Sequence, residues 1–307
     1  MDRRIVNWVI ATAVVALLAF LVACGTAHDG DDDGNDDEDI AAGSRDVGVV
    51  VIDERTVADD TAQVGGNGFF VRFDEDVPAD LFDAPWSEVV GTCQVFGVFD
   101  VDPSDPIDMF PGIVLPDDLG ITFLGAGDTI AVRSGGAAFL ELERSEAPFG
   151  EDTIIAYGSG GPVQGPLLVD LTLSVPGDDY PSVANAGFPD TPAFALTAPA
   201  EPGSPGAVGI DTTFSWSGAT NDAATIVTID LMSADVTTFV SCVAADTGSF
   251  ALPAATVTEL GGTFSGSVLA AGRTGTRVHA VGDARLMLAV TRSRSYLVPM
   301  VPFPDLW

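Results

Sequence analysis

The 307-residue sequence has no lysine at any position, and its 12 basic residues are all arginine. Without lysine the chain cannot form a P-loop, a Schiff base or a Ser-x-x-Lys acylation site, because each of these needs the lysine side chain. The 45 acidic residues bring the formal net charge to −33. Such a surface repels nucleic acid, whose binding depends on the neutralisation of phosphates by basic side chains. The composition therefore excludes these enzyme classes and predicts no nucleic-acid partner.

Histidine is nearly absent as well, since the chain contains only His28 and His279. Metal sites built from several histidines are thereby excluded, and a Ser-His-Asp triad would have to use His279. This residue alternates with Val278 and Ala280 and shares a strand face with Arg277, so we expect it to face solvent. Pairs of carboxylates for glycoside hydrolysis are so numerous here that their presence carries no information. We predict a protein without enzymatic activity and keep a hydrolase as the alternative.

The first 23 residues have the arrangement of an export signal, with Arg3 and Arg4 followed by an apolar run over residues 5–23. The run ends in Leu21-Val22-Ala23-Cys24, which resembles the lipobox of bacterial lipoproteins. That resemblance implies that residues 1–23 are removed as a signal peptide and that the thiol of Cys24 carries a diacylglyceryl group. The membrane is then a partner of the chain through this N-terminal lipid.

An uncleaved transmembrane anchor is the alternative, because residues 5–23 approach the lower length limit for a membrane-spanning helix. The small residue Ala23 before Cys24 and the abrupt change to Gly25 favour cleavage. By analogy with lipoprotein sorting in well-studied bacteria, a residue other than aspartate after the cysteine predicts the outer membrane. The predicted localisation is therefore the cell envelope.

Residues 24–45 are predicted to form a disordered acidic linker, since residues 28–39 read HDGDDDGNDDED and offer no apolar side chain for burial. Asp29, Asp31 and Asp33 match the first half of a calcium-binding loop, with oxygen ligands at alternate positions. The second half does not match, because Ile40 occupies the position of the expected glutamate. A solvated linker is the leading interpretation, and a weak Ca²⁺ site is the alternative.

From residue 46 onward, short runs rich in Val, Ile, Phe and Thr are separated by Gly, Pro and Asp, a pattern typical of all-β sandwiches. The pattern contains no long amphipathic helix. It predicts strands at residues 48–53, 68–73, 89–100, 120–124, 129–133, 138–143, 153–157, 167–174, 193–197, 212–216, 224–232, 236–243, 249–252, 263–269, 276–281 and 285–291. The Pro- and Gly-rich stretch 198–206 is the best domain boundary, because proline cannot donate to a strand ladder. We therefore predict two antiparallel β-sandwich domains, at residues 46–198 and 199–307. Arginines downstream of this boundary could dock against the acidic upstream domain: Arg273, Arg277, Arg285, Arg292 and Arg294.

Phe214-Ser215-Trp216 on one predicted strand, followed by a strand that ends in Cys242, resembles the Trp-plus-Cys core of immunoglobulin-like and fibronectin-like sandwiches. The second cysteine of that core is missing from residues 199–307, so the resemblance extends to the architecture only. The two-part layout is also similar to uncharacterised secreted lipoproteins of Gram-negative bacteria, for which the resemblance implies no activity.

Once Cys24 is assigned to the lipid, Cys93 and Cys242 remain. An oxidising envelope compartment favours a disulfide between them. Each also lies in an alternating run whose phase predicts burial, so two buried free thiols remain the alternative. A metal-binding thiol is less favoured, because no Cys-x-x-Cys spacing occurs.

Two acidic loops of the predicted sandwiches are candidates for weak calcium sites. Asp100, Asp102, Asp105 and Asp108 crowd one loop, and residues 74–76 form the other. Acidic surface loops without a metal are the simpler interpretation, so Ca²⁺ is the one cofactor that we consider.

The predicted function is that of a structural, adhesive or ligand-binding module whose protein or glycan partner the sequence does not name. The alternative is a carbohydrate-binding or carbohydrate-hydrolysing protein, in which Trp86 or Trp216 would be exposed on a sheet face. The apolar, proline-rich C-terminal stretch 297–307 is predicted to run extended and to cover a surface.

Overall fold

The computed structural model describes residues 44–57, 60–77, 86–87, 89–96, 121–149 and 152–296. These residues form eighteen strands and one short helix, α1 (Ala254–Glu259). The strands are β1 (Ser44–Thr56), β2 (Ala62–Val77), β3 (Thr92–Phe96), β4 (Ile121–Phe123), β5 (Thr129–Ser134), β6 (Ala137–Phe149), β7 (Asp152–Ser159), β8 (Val163–Gln164), β9 (Leu171–Val175), β10 (Val183–Gly187), β11 (Leu196–Ala198), β12 (Val208–Gly209), β13 (Thr213–Trp216), β14 (Thr225–Ser233), β15 (Phe239–Ala245), β16 (Ser249–Ala251), β17 (Ser265–Val281) and β18 (Ala284–Ser295). The predicted all-β class is confirmed.

One long sheet contains most of these strands, in the order β10-β9-β5-β6-β7-β2-β1-β18-β17-β14-β15-β3. Strands β4 and β8 add to β2, and β12 adds to β17. A separate three-stranded sheet has the order β11-β13-β16. The pairs are antiparallel apart from β1 and β18, which run parallel with Val47 opposite Arg285 and Thr56 opposite Arg294.

The long sheet runs across the boundary that the sequence predicted between residues 198 and 199. β18 pairs with β1 on one side and with β17 on the other, and β3 pairs with β15. The Pro- and Gly-rich stretch does leave the long sheet, because β11 belongs to the small sheet. The predicted division therefore coincides with a change of sheet along the chain and not with a break in the hydrogen-bonded ladder.

The first core lies inside the curved N-terminal part of the long sheet. It includes Val50 and Ile52 of β1, Leu173 of β9 and Leu286 and Leu288 of β18, strands that are far apart in the strand order. Residues from such distant strands share one core only if the sheet curls back on itself. The hydroxyl of Tyr180, which follows β9, donates to the carbonyl of Arg285 at 2.8 Å and joins the two sides of this curl.

The second core lies between the small sheet and the C-terminal part of the long sheet, as in a β-sandwich. Phe214 and Trp216 of β13 face Ile229 of β14 and Cys242 of β15 in this core. Alternation along β14 and β15 places every second side chain inside. The sandwich expected around Trp216 and Cys242 is therefore present.

The strand β2 is apolar on both faces, which explains its consecutive Phe69-Phe70-Val71. Phe70 belongs to the first core, whereas Phe69 and Val71 form a separate cluster on the opposite face with Val47 and Phe73. A strand buried on both sides loses the polar alternation that the sequence patterns rely on.

One predicted break does not exist, because residues 265–281 form the single strand β17. The interpretation of residues 263–269 and 276–281 as separate strands is wrong. Gly272 and Gly275 lie between the two predicted strands, and a Cβ at Gly275 would lie 2.5 Å from the hydroxyl of Thr191. These glycines therefore allow close packing against the strand, and the ladders to β14 and β18 keep it extended.

Candidate functional site

Cys93 and Cys242 stand directly opposite each other on β3 and β15 and are joined by a disulfide bond. Cys242 is fully buried in the second core, and Cys93 packs against the same cluster. The sequence left this pairing open against two free thiols and a metal-binding thiol, and the structure has the disulfide. Because 149 positions separate the two cysteines, the bond holds a strand from the N-terminal half on the edge of the C-terminal sandwich.

A buried ion pair between Arg273 and Asp246 lies at the centre of the C-terminal half. Arg273 Nε is 2.9 Å from Asp246 Oδ2, Nη2 is 3.1 Å from Oδ1, and both side chains are 0% exposed. The same carboxylate accepts hydrogen bonds from Trp216 Nε1 at 2.7 Å and from the backbone N and hydroxyl of Thr220 at 2.9 and 2.8 Å.

These donors decide the charge of Asp246. Burial by itself would raise the pKa of this carboxyl, but the hydrogen bonds from Thr220, Arg273 and Trp216 outweigh it and hold the pKa below its usual value. Asp246 is therefore an ionised carboxylate at neutral pH, with its charge matched by Arg273.

Arg273 has further acceptors in the backbone of neighbouring loops. Its Nη1 donates to the carbonyls of Ala193 at 3.0 Å and Pro192 at 3.3 Å, and its Nη2 donates to the carbonyl of Ser217 at 3.0 Å. The guanidinium also lies 5.6 Å from the ring centroid of Phe194, within range of a cation–π contact. The guanidinium of Arg273 is thus bound by Asp246 and by backbone carbonyls inside the fold.

We call three basic side chains on one face of β17, Arg273, Arg277 and His279, the polar seam. Arg273 is buried, His279 is half-buried and Arg277 is exposed. Arg277 Nη1 donates to the carbonyl of Phe188 at 3.0 Å, and His279 Nε2 lies 2.9 Å from the carbonyl of Gly187. A carbonyl oxygen only accepts, so Nε2 of His279 carries the proton in this contact. The polar seam fastens the chain segment that passes from the first core to the second.

His279 was expected to face solvent, and in the structure it is half-buried. Arg277 on the same face is exposed, but the imidazole of His279 contacts the backbone at the end of β10. Neither a serine nor a carboxylate is a hydrogen-bond partner of His279 among the contacts of the described residues, and its imidazole is engaged with the Gly187 carbonyl.

The docking expected between acidic upstream and basic downstream residues occurs at the end of β1 and β18. Arg292 Nε lies 3.3 Å from Glu54 Oε2, and Arg294 Nη2 lies 2.6 Å from Asp60 Oδ1. The polar seam instead uses backbone carbonyls and, for Arg273, an acid of its own half. Sequence charge counts could not separate these two uses of arginine.

Asp53 and Asp230 are two aspartates of the long sheet whose pKa is raised by burial. Neither of them was predicted from the sequence patterns. Asp53 lies on β1 between Gly65 of β2 and Thr291 of β18, and burial raises its pKa to about 6, against an opposing effect from Arg55. Burial also raises the pKa of Asp230 on β14, partly offset by a hydrogen bond from the Ser241 hydroxyl at 2.8 Å. The position of Asp230 between Ile229 and Leu231 was a signal that could have indicated it, whereas Asp53, followed by Glu54 and Arg55, carried no such signal.

The two tryptophans proposed as sugar-binding platforms do not share an exposed surface. Trp216 is only 5% exposed, and its indole N–H is bound to Asp246. Trp86 is half-buried, and its indole N–H donates to the hydroxyl of Thr276 at 3.2 Å. The Trp216 ring is therefore closed to a ligand, whereas the half-buried Trp86 ring is held at its N–H edge.

The remaining predicted site residues lie outside the described part of the chain: Cys24, Asp29, Asp31, Asp33, Asp100, Asp102, Asp105 and Asp108. Within the described residues, no three acidic, histidine or cysteine side chains converge as a metal-binding group. Residues 74–76, which were expected in a loop, belong to strand β2. The calcium hypothesis stays a prediction for the acidic residues outside the described ranges. No helix in the described part of the chain has the length and the apolar side chains that a membrane span requires.

Comparisons with known proteins give no family for this chain. No protein-family model matches it, and no curated protein matches it. Among solved structures, the Fcho1 Mu homology domain from Danio rerio with a bound Eps15 peptide is 10% identical, with a TM-score of 0.21. The match covers 82% of this chain and 96% of that domain. A TM-score of this size carries no argument about fold or function.

Proposed function

We propose that this chain is an exported, lipid-anchored protein of a bacterial cell envelope that works without catalysis, as a structural, adhesive or ligand-binding module. The lipid on Cys24 would tether the acidic linker and the β-rich body to a membrane, which Gly25 indicates to be the outer membrane. The partner of the body is a protein or a glycan.

The disulfide between Cys93 and Cys242 is the observation that carries this proposal. Structural disulfides persist in oxidising compartments and are rare where thiols are kept reduced. The bond supports export independently of the leader, because it depends on residues far from the N-terminus. The leader and the lipobox-like Leu21-Val22-Ala23-Cys24 then explain how the chain is exported and where it is held.

A non-catalytic role is supported by how the polar groups of the body are used. Arg273, Arg277, His279 and Asp246 bind one another or the backbone, and these contacts fix the two cores relative to each other. Groups engaged in this way position a scaffold and do not face a substrate. The carbohydrate alternative named Trp86 or Trp216 as the stacking surface, and the burial of Trp216 removes one of these two rings.

Metabolic labelling with a radioactive or alkyne-tagged fatty acid tests the proposal. We expect wild-type protein to incorporate the label and Cys24→Ser to incorporate none. The matched control is the double variant Cys93→Ser, Cys242→Ser, which removes two thiols that are not acylated and should keep the label. Equal labelling of the Cys24→Ser variant and the wild type would exclude the lipid anchor.

A further inference from the structure

Three exposed apolar side chains lie close together at one end of the long sheet. Val163, Leu168 and Val169 are 40%, 45% and 69% exposed, and Val236 is the other large apolar side chain that is exposed among the described residues. We call Val163, Leu168 and Val169 the apolar tip. Three of four such side chains thus fall within residues 163–169, a clustering that separates the apolar tip from scattered surface residues.

The loops that present the apolar tip carry no charge. Residues 159–169 read SGGPVQGPLLV, and the adjoining hairpin turn at residues 134–138 reads SGGAA. The hydroxyl of Ser134 donates to the carbonyl of Val169 at 2.7 Å, so the two loops touch. Arg133 and Asp170 border them. In a chain with a net charge of −33, these two loops are uncharged stretches, although Glu54 and Asp170 lie next to them.

Several backbone groups beside the apolar tip are bonded within the protein. The carbonyl of Asp170 accepts from the N–H of Gly135, and the N–H of Gly165 donates to Ala62 O at 2.9 Å. The N–H of Leu167 donates to the Glu54 carboxylate at 3.2 Å. Backbone groups that are already bonded can leave water without an unpaired donor or acceptor, which a lipid environment requires.

The neighbouring Leu167 fixes how the apolar tip is presented. Its side chain is buried in the first core, so the next two side chains, Leu168 and Val169, project outward. The loop is therefore held to the body and presents its apolar side chains without having to fold on binding.

The apolar tip is too small for a stable protein complex. Its three side chains expose on the order of 250 Å², whereas a stable interface buries about 800 Å² on each partner. Shallow insertion of a few apolar side chains into the headgroup region of a bilayer needs no such area, especially when an acyl chain already holds the protein nearby.

We propose that the apolar tip inserts into an uncharged, zwitterionic lipid surface. A headgroup layer without net charge does not repel the acidic body. Anionic lipids repel it, because the chain has a net charge of −33. The 20 residues from Cys24 to Ser44 have a contour length of about 65 Å, and β1 extends about 40 Å from Ser44 towards the apolar tip. The anchored body can therefore bring this end to the membrane.

Insertion by the apolar tip does not require acylation, so its failure is distinguishable from failure of the proposed lipid anchor. The test uses the chain from residue 24 onward with Cys24→Ser. Because Cys93 and Cys242 are bonded to each other, a new cysteine is then the one reactive thiol of the sample. Val169→Cys carries an environment-sensitive dye, and Val236→Cys, with a 67% exposed parent side chain beside Asp235, is the matched control.

With phosphatidylcholine vesicles at millimolar lipid, we expect the dye at residue 169 to brighten about two-fold and the dye at residue 236 to stay unchanged. Replacing a third of the lipid by phosphatidylglycerol should reduce the response, and added salt should restore it. Leu168→Asp should abolish it without changing the thermal melting curve, because this side chain is exposed.

No brightening at residue 169, or equal brightening at residues 169 and 236, would overturn the proposal. A brightening that depends on protein concentration in the absence of lipid would also overturn it, because that result assigns the apolar tip to a second copy of the chain.

Discussion

Arg273 and Asp246 form an ion pair that is closed to solvent on both sides, with Nε and Oδ2 2.9 Å apart. The carboxylate also binds Trp216 and Thr220, and the guanidinium also binds the carbonyl of Ala193. A charge buried without its partner is far more costly than the same charge exposed. The stability of the C-terminal sandwich therefore depends on Arg273 of β17.

Replacement of Arg273 by methionine should destabilise the protein by about 3–5 kcal/mol, because it leaves the buried carboxylate of Asp246 without its counter-charge. The measurement is urea unfolding followed by circular dichroism. Arg294→Met is the matched control, since Arg294 pairs with the exposed Asp60 and should cost no more than about 1 kcal/mol. Equal costs for the two variants would show that the Arg273 pair is not desolvated.

Reduction of the disulfide should lower the stability of the protein by up to about 5 kcal/mol, since the bond closes a loop of 149 positions in the unfolded chain. We expect the melting temperature of the wild type to fall when a reductant is added. The double variant Cys93→Ser, Cys242→Ser should melt at that lower temperature with or without reductant. A wild type that melts at one temperature in both conditions would contradict the structural disulfide.

Asp53 should give the protein a pH-dependent stability that runs opposite to ordinary acid denaturation. Burial raises its folded-state pKa from 3.8 to about 6, so between these values the folded chain holds a proton that the unfolded chain has released. The stabilisation from protonated Asp53 is complete below about pH 4 and is lost as the pH rises through about 6.

The variant Asp53→Asn isolates this effect. At pH 7 we expect it to be more stable than the wild type by no more than about 3 kcal/mol, and below pH 4 the difference should vanish. Asp235→Asn is a control of opposite sign, because hydrogen bonds from Ser233 and Thr237 lower the pKa of the exposed Asp235. If the difference in stability between Asp53→Asn and the wild type stays constant over this pH range, Asp53 does not have the raised pKa.

The polar seam should control local opening of the segment between the two cores. His279→Leu removes the donor to the Gly187 carbonyl, and we expect amide hydrogen exchange in residues 183–188 to accelerate by about five-fold, as for a lost hydrogen bond of about 1 kcal/mol. His279→Gln retains a donor and should exchange close to the wild-type rate. Similar exchange rates in both variants would show that this hydrogen bond does not control the local opening.

The sequence predicted the all-β class and the positions of the main strands, because alternation and turn residues are local signals. It did not predict that β1 would pair in parallel with β18, since residues 44–56 carry no information about a partner more than 200 positions away. It also divided β17 at its glycines. The packing of Thr191 over Gly275, which explains that composition, becomes visible only in three dimensions.

The same limit applies to the polar residues. Cys242 was assigned to a core from the alternation of its strand and Trp216 from the resemblance to an immunoglobulin-like core, and both are buried in the second core. Asp246 was one acid among 45, and nothing in its neighbours marked it as the partner of Arg273. Partners of buried charges are set by tertiary contacts, so sequence reasoning identified the apolar members of this cluster and missed the charged ones.

The mass of the N-terminal peptide of the protein, purified from membranes, decides whether the chain carries the proposed lipid anchor. We expect a peptide that begins at Cys24 and carries a diacylglyceryl group on its sulfur. A peptide that retains residues 1–23, or one that begins at Cys24 with an unmodified thiol, would contradict it.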